Sequence, residues 1–180
     1  MSPSTASGHL HQLVAGGLVV CERSGRLRLH RLASPDVAAA IEALAAISPL
    51  LPTESLRDAQ RGTRLQFARV CDAHLGGALA VSIRRMLDED GVLRGTEPAQ
   101  FGHPLLSALA ITDLAAFSGP VIRYCRDWTE DTDHLAGRLG TAVLHRMFDQ
   151  EWIQRRSADR SVRVTSVGSA RLRELGIGAA

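Results

Sequence analysis

Two copies of one short pattern place cysteine and histidine at matching positions. The stretches HLGGALA (residues 74–80) and HLAGRLG (residues 134–140) both read His-Leu-small-Gly-x-Leu-small. Cys71 precedes the first copy, and Cys125 and Asp127 precede the second. Thiolate sulfur and imidazole nitrogen are ligands that zinc and other soft metals accept. The candidate metal ligands are Cys71, His74, Cys125, Asp127 and His134.

Three interpretations of this repeated pattern stay open at the level of sequence. The first is a site for a soft divalent metal such as zinc, cadmium or lead. The second is a reactive thiol or a small-ligand pocket. In the third, Cys71 and Cys125 are small buried apolar residues and the histidines pack at an interhelical contact. The three cysteines are odd in number and widely spaced, which argues for a reducing cytoplasm and against a disulfide framework.

The elements expected to position these residues are helices. Residues 54–90 carry apolar side chains at helical spacing, so Cys71 and His74 are predicted to share one helix face. Residues 133–149 are predicted to form another amphipathic helix. Near the end of the chain, residues 152–165 are predicted to form an arginine-rich, wing-like hairpin.

The front of the chain shows a different organisation. Residues 4–15 predict a helix that begins after Ser2-Pro3-Ser4 and ends at Gly16-Gly17. Alternating apolar and polar residues flank Ser24-Gly25 and predict a hairpin over residues 18–32. A further, alanine-rich helix is predicted over residues 35–47.

The first helix and hairpin carry side chains that suit contact with DNA. The polar face of the helix lies opposite Leu10, Leu13 and Val14, as expected of a recognition helix in a major groove. Gln12 can bond adenine bidentately, and hairpin arginines can reach phosphates or the minor groove. The candidate DNA-binding residues are Ser2, Ser4, Thr5, Ser7, His9, Gln12, Arg23, Arg26 and Arg28.

Residues 2 to about 47 resemble the recognition helix and wing of the ArsR/SmtB family of bacterial winged-helix repressors. The resemblance rests on the pattern Ser-x-Ser-Thr-x-Ser-x-His-Leu-x-x-Leu-x-x-x-Gly-Leu-Val, followed by a charged hairpin. It implies a cytoplasmic, homodimeric regulator that binds operator DNA, usually represses, and is released by an inducer. Relative to that family, the unit lacks its first helices. The remainder is similar to longer members that carry a Cys-x-Asp-His-Leu-Ala-Gly-like segment, although known metal sensors of the family place their ligands in other motifs.

Composition sets further bounds on function. The chain has 180 residues, a formal net charge of +2, 45% hydrophobic residues and 22% charged residues, which is ordinary for a globular protein. No apolar run approaches the length of a membrane span. The sequence contains no nucleophile elbow, phosphate-binding loop or paired-carboxylate spacing, so we do not expect an enzyme.

The sequence therefore predicts a mainly α-helical fold with small β-hairpin wings. A truncated winged helix-turn-helix segment would occupy residues 1–48, and a helical effector and dimerisation region with a second winged-helix-like half would occupy residues 54–180. The predicted function is a DNA-binding transcriptional repressor released by a metal ion, a metalloid or a small molecule. The alternative is a ligand- or metal-binding module that no longer binds DNA on its own.

Overall fold

The computed structural model describes residues 2–48, 55–98, 100–157 and 159–178. The chain divides into two compact units, Met1–Ala45 and Ala46–Ala180, which we call unit 1 and unit 2. Within the described ranges, no helix has both the length and the apolar character needed to cross a bilayer.

Unit 1 consists of a helix, a hairpin and most of a second helix. These elements are α1 (Pro3–Ala15), β1 (Val19–Ser24), β2 (Leu27–Leu32) and α2 (Pro35–Ile47), whose last residues belong to unit 2. Ser2 caps α1 by accepting a hydrogen bond from the backbone N–H of Thr5, and Pro3 occupies the first turn, where its missing N–H costs nothing. Gly25 turns the antiparallel hairpin with a φ of +61°, which glycine adopts without strain.

Unit 2 alternates helices with short hairpins. Its elements are α3 (Leu56–Phe67), β3 (Arg69–Cys71), β4 (His74–Gly76), α4 (Ala78–Glu89), α5 (Pro104–Ala108), β5 (Arg123–Arg126), β6 (Asp133–Ala136), α6 (Gly137–Asp149), β7 (Ile153–Arg155), β8 (Val162–Val164) and α7 (Ser166–Glu174). Pairing is antiparallel in each hairpin. A bridge between Arg69 and Ser161 joins β3 to the C-terminal hairpin.

The prediction of continuous helix through the two His-Leu patterns was wrong. Each copy begins on the second strand of a hairpin, β4 or β6, and only its second half enters a helix, α4 or α6. The break has a physical cause at Gly77, where φ is +93° and an added Cβ would lie 2.5 Å from the carbonyl oxygen of Gln66. Gly137 makes the same turn into α6 with a φ of +72°. Both strand-to-helix turns need a positive φ, which glycine adopts readily and residues with a side chain rarely adopt.

The two hairpin–helix repeats pack against each other in unit 2. Strand β4 lies against α6, β6 lies against α4, and the two strands contact one another. Buried leucines from both repeats, such as Leu79 and Leu139, belong to one hydrophobic core with Trp152 and Leu172. Each repeat thus covers the strand of the other, which fixes the relative position of β4 and β6.

The fold is mixed α/β rather than mainly helical. Across the described residues it contains seven helices and small antiparallel hairpins, an arrangement compatible with a helix-turn-helix regulator. The hairpins at β3–β4 and β5–β6 were not predicted, because their strands are only three or four residues long. The winged-helix assignment itself stays a prediction.

Candidate functional site

The candidate DNA-binding residues all lie on the surface of unit 1. Each of the nine side chains is exposed. Helix α1 buries none of its residues, and even Leu13 and Val14 remain more than a third exposed. Ser2 is partly committed to the fold, because its hydroxyl caps α1 and lies within hydrogen-bond distance of the Ser4 and Thr5 hydroxyls.

The β1–β2 hairpin places positive charges opposite each other. Arg23 pairs across the strands with Arg28, while Arg26 lies in the turn. Like charges directly opposite one another destabilise an antiparallel pair. Arg31 is different, because its guanidinium lies 2.8 Å from the carboxylate of Glu22. Within the described residues, no ion pair neutralises Arg23, Arg26 or Arg28, so this surface suits an anionic partner.

Unit 2 brings four of the five candidate metal ligands together. Cys71 faces His74 across β3–β4, and Cys125 faces His134 across β5–β6. Because residues paired across strands project from the same face of a hairpin, each hairpin presents one sulfur and one imidazole. The potential ligand atoms of all four side chains lie within 4.8 Å of one another. Three of these residues are buried, and Cys125 is half-buried.

The two imidazoles meet edge to edge inside this cluster, which we call the Cys/His centre. Nε2 of His74 lies 3.0 Å from Nε2 of His134. The other ring nitrogen of His134, Nδ1, lies 2.9 Å from Oδ2 of Asp127, an ion-pair distance at an angle too bent for a straight hydrogen bond. A proton on Nδ1 would leave Nε2 with its lone pair directed into the centre.

Asp127 is not placed among the four potential ligands but behind His134. Its Oδ1 accepts hydrogen bonds from the guanidinium of Arg69 at 2.9 Å and from the Thr129 hydroxyl at 2.7 Å. Its Oδ2 accepts a 2.6 Å hydrogen bond from the backbone N–H of Gly77. The Asp127 and Arg69 side chains are fully buried. Asp127 therefore links the second hairpin to the turn that begins α4 in the first repeat.

These contacts change the ionisation of the centre. Burial alone would raise the pKa of Asp127, but its contacts with His134, Thr129 and Arg69 hold that pKa well below its usual range. Burial would lower the pKa of His134, but Asp127 and Cys125 raise it above its ordinary value. A hydrogen bond from Cys71 is the main cause that lowers the pKa of Cys125. The centre thus favours a thiolate, which is the nucleophilic and metal-binding form of cysteine.

A relative of this chain is the uncharacterized HTH-type transcriptional regulator YdfF of Bacillus subtilis (strain 168). The two sequences are 37% identical over an alignment 178 positions long, and the match covers 93% of this chain and 77% of the relative. The chain belongs to the HTH-type transcriptional regulators. This is a class of DNA-binding proteins that are not usually enzymes. No protein-family model matches the chain, and no solved structure matches it.

For a regulator of this class, unit 2 offers a second place where a ligand could bind. An open cleft of about 630 Å³ lies beside α3, β8 and α7, and its lining includes Arg64, Phe67, Glu130 and Arg163. Its volume is in the range of small-molecule sites. The cleft mixes charged and apolar side chains and is distinct from the residues of the Cys/His centre.

Sequence reasoning missed the buried partner of Asp127. Arg69 donates to Asp127 and to the backbone carbonyl of Leu65, and its guanidinium lies 4.5 Å from the centre of the Trp128 ring. Nothing in the sequence around Arg69 distinguishes it from the exposed arginines of the chain. The Asp127–Trp128–Thr129 stretch was a weak signal, because an aspartate can accept from the backbone N–H two residues ahead, as it does here from Thr129.

Proposed function

We propose that this regulator is a repressor that binds double-stranded operator DNA through α1 and the β1–β2 hairpin. An effector bound by unit 2 releases it from the DNA. The observation that carries the proposal is the pairing of Arg23 with Arg28 on an exposed hairpin that follows an unburied polar helix.

Repulsion between Arg23 and Arg28 destabilises the free hairpin, and binding to DNA would relieve it. Two guanidinium groups at opposed positions repel each other, and among the described residues the ion pair of this hairpin joins Glu22 to Arg31 rather than to Arg23 or Arg28. A phosphate backbone would remove that repulsion and release condensed counterions. Arg26, in the turn between them, extends the same positive surface. The hairpin is therefore suited to contact DNA without regard to sequence.

Helix α1 is suited to the complementary task of reading bases. Gln12 is exposed and is the residue on this helix that can make a bidentate pair with adenine. Thr5, Ser7 and His9 add short polar side chains, and none of the helix is committed to a core. Within α1 only Ala6 and Leu10 are even partly buried, so the helix gains little stability from unit 1, which fits an element that docks into a groove.

The homodimer implied by the ArsR/SmtB resemblance has support in unit 1 and at the end of α2. Ile41, Leu44 and Ile47 are spaced three apart on α2 and are between 47% and 80% exposed. Leu27 and Leu29 of the hairpin are more than half exposed as well. Apolar surface of this kind commonly marks a protein–protein contact. We propose that a second copy of the chain covers the α2 face.

The proposal is tested by fluorescence anisotropy with a labelled fragment of the gene's own promoter region. The chain should bind with an affinity that falls steeply with salt. In the double variant Arg23→Ala/Arg28→Ala, affinity should fall for all duplexes, and the slope of log affinity against log salt should become shallower by about 2, which is about 0.9 for each lost phosphate contact.

The matched control removes the same charge from unit 2. Arg57 and Arg173 are exposed arginines of α3 and α7, and their double alanine variant should keep the wild-type salt slope. If wild-type protein shows no salt-sensitive binding to promoter DNA, the repressor proposal is wrong. The alternative of a ligand-binding module that does not bind DNA on its own would then stand.

A further inference from the structure

We propose that the Cys/His centre is a four-coordinate site for one thiophilic divalent cation of the zinc class. The ligands are the Sγ atoms of Cys71 and Cys125 and the Nε2 atoms of His74 and His134. This cation would be the effector of the proposed repressor, so its regulatory role rests on the proposed function. Binding of the cation itself is measured without DNA, so the two can fail separately.

The distances in the centre suit a tetrahedral ion. Bond lengths of zinc to nitrogen and sulfur place two ligand nitrogens about 3.3 Å apart and two ligand sulfurs about 3.8 Å apart in a tetrahedron. The observed separation of the two Nε2 atoms is 3.0 Å, and all four ligand atoms lie within 4.8 Å of one another. The side chains therefore need only small movements to meet one cation.

The pair of imidazoles is informative by itself. Two Nε2 atoms at 3.0 Å can share only one proton between them. Nδ1 of His134 lies 2.9 Å from the Asp127 carboxylate, and a proton held there would leave the Nε2 lone pair facing His74. Metal-binding histidines commonly present their second nitrogen to a carboxylate in this way, which fixes the tautomer and the ring orientation. Asp127 is thus a positioning residue for His134.

The centre is formed only when the two repeats pack together. Neither the β3–β4 nor the β5–β6 hairpin supplies more than one sulfur and one imidazole. The β1–β2 hairpin shows the difference, because Cys21 pairs with His30 across its strands in the same way but on an exposed surface. Among the described residues, this third pair belongs to no cluster of three or more potential ligands. A cation in the centre would cross-link the two repeats.

The ligand set selects the class of ion. Two thiolates and two imidazoles are soft or borderline donors that favour zinc, cadmium or cobalt(II) in a tetrahedral site. The centre has no carboxylate oxygen among its four ligands, which disfavours magnesium and calcium. The half-buried Cys125 is the ligand nearest to solvent and gives the ion a route of entry.

The test uses the full chain, reduced and stripped of metal with a chelator, and titrates it with cobalt(II). Wild type should bind one equivalent and develop the visible bands of tetrahedral cobalt together with a near-ultraviolet thiolate-to-cobalt band. Zinc should displace the cobalt and abolish both. The variants Cys71→Ser and Cys125→Ser should each lose about half of the thiolate-to-cobalt intensity and bind cobalt more weakly.

The matched control is the double variant Cys21→Ser/His30→Gln, which removes the same chemistry from the β1–β2 hairpin and should titrate as wild type does. Cys125 is half-buried, so Cys125→Ser keeps the test valid if Cys71→Ser does not fold, as circular dichroism would show. A spectrum of octahedral cobalt in wild type, or a thiolate band that keeps its full intensity in Cys125→Ser or weakens in the control, would overturn the proposal.

Discussion

At the scale of single residues, Asp127 connects the candidate centre to the rest of unit 2. Its carboxylate contacts His134, Arg69, Thr129 and the backbone of Gly77, all from a fully buried position. A buried charge is tolerated only when it is paired and hydrogen-bonded, and these contacts meet both conditions. Asp127 therefore contributes to stability and, by our proposal, to the orientation of His134, and two measurements on one variant distinguish these roles.

We expect Asp127→Asn to weaken both the fold and the centre. The neutral amide keeps the size of the side chain but leaves the buried Arg69 without its charge partner, which costs about 3 kcal/mol of unfolding free energy. Cobalt affinity should fall by about 10- to 100-fold because the orientation of His134 is lost. Urea unfolding and cobalt titration measure the two effects.

The control for this prediction is Asp131→Asn, because Asp131 is 99% exposed although it also contacts an arginine, Arg126. It should change neither the unfolding midpoint nor cobalt affinity. A purely structural role for Asp127 would lower stability and leave the cobalt affinity of the folded protein unchanged.

The sequence could identify the residue types of the centre but not their geometry. Cys71, His74, Cys125 and His134 stood out because a repeated pattern marked them. Asp127 was predicted as a fifth ligand, because the sequence does not distinguish a carboxylate that binds a metal from one that contacts a metal-binding histidine. Its position behind His134 depends on how the two hairpins pack, which is a long-range contact.

Gln12 is the residue of α1 that we expect to recognise a base. We expect Gln12→Ala to reduce discrimination at one base pair by about 1–3 kcal/mol, because a bidentate pair with adenine is lost. Affinity for unrelated DNA should change little. Competition binding with operator variants measures the effect, and Gln60→Ala, an exposed glutamine of α3, is the control. Equal weakening on every sequence would show that Gln12 contacts only the backbone of the DNA.

At the scale of elements, local signals predicted some boundaries well and others badly. Caps and turn residues near Ser2, Gly16 and Gly25 lie at the ends of α1 and at the β1–β2 turn as expected. The segment around Cys71 was misassigned because its apolar spacing also fits a helix. Asp72 adopts a φ of +51° in the two-residue connection of β3–β4, and Gly76-Gly77 follows at once. The paired glycines were the available signal of a break.

Gly137 gives a prediction for the strand-to-helix turns. An alanine there would place its Cβ 2.7 Å from the carbonyl oxygen of Pro120, at a φ of +72°. We expect Gly137→Ala to destabilise unit 2 by about 1–3 kcal/mol, since both the backbone conformation and the contact are strained. Thermal and urea unfolding measure the loss.

Gly62 is the matched control for that substitution. It lies within α3, and a Cβ there would meet nothing within 4 Å. Gly62→Ala should therefore stabilise the helix by about 0.5–1 kcal/mol. If both variants shifted stability in the same direction, the turn at Gly137 would not have the conformational requirement that its geometry indicates.

At the scale of the whole molecule, the two units differ in how much they bury. Among the described residues of unit 1, only Val19, Ala38 and Glu42 are buried, whereas unit 2 has an extensive core built from both repeats. A unit with so few buried side chains has little stability of its own and responds readily to a partner. DNA or a second copy of the chain would supply that partner, and the effector would act through unit 2.

Linkage between the two units gives the prediction that decides whether the centre is regulatory. If zinc releases the repressor, operator affinity should fall by about 5- to 150-fold when the centre is filled, which is the usual range of allosteric coupling. The same factor must appear when zinc affinity is measured with and without operator DNA, because coupling of two binding equilibria is reciprocal. Anisotropy titrations at fixed zinc, and zinc titrations at saturating DNA, provide both numbers.

Two variants test whether this coupling comes from the Cys/His centre. In Cys125→Ser the coupling factor should approach one, while in Cys21→Ser/His30→Gln the sensitivity of DNA binding to zinc should match wild type. Zinc that binds tightly with no change in operator affinity would make the centre a structural cross-link of the two repeats, and the effector of unit 2 would then be sought at the cleft beside α3.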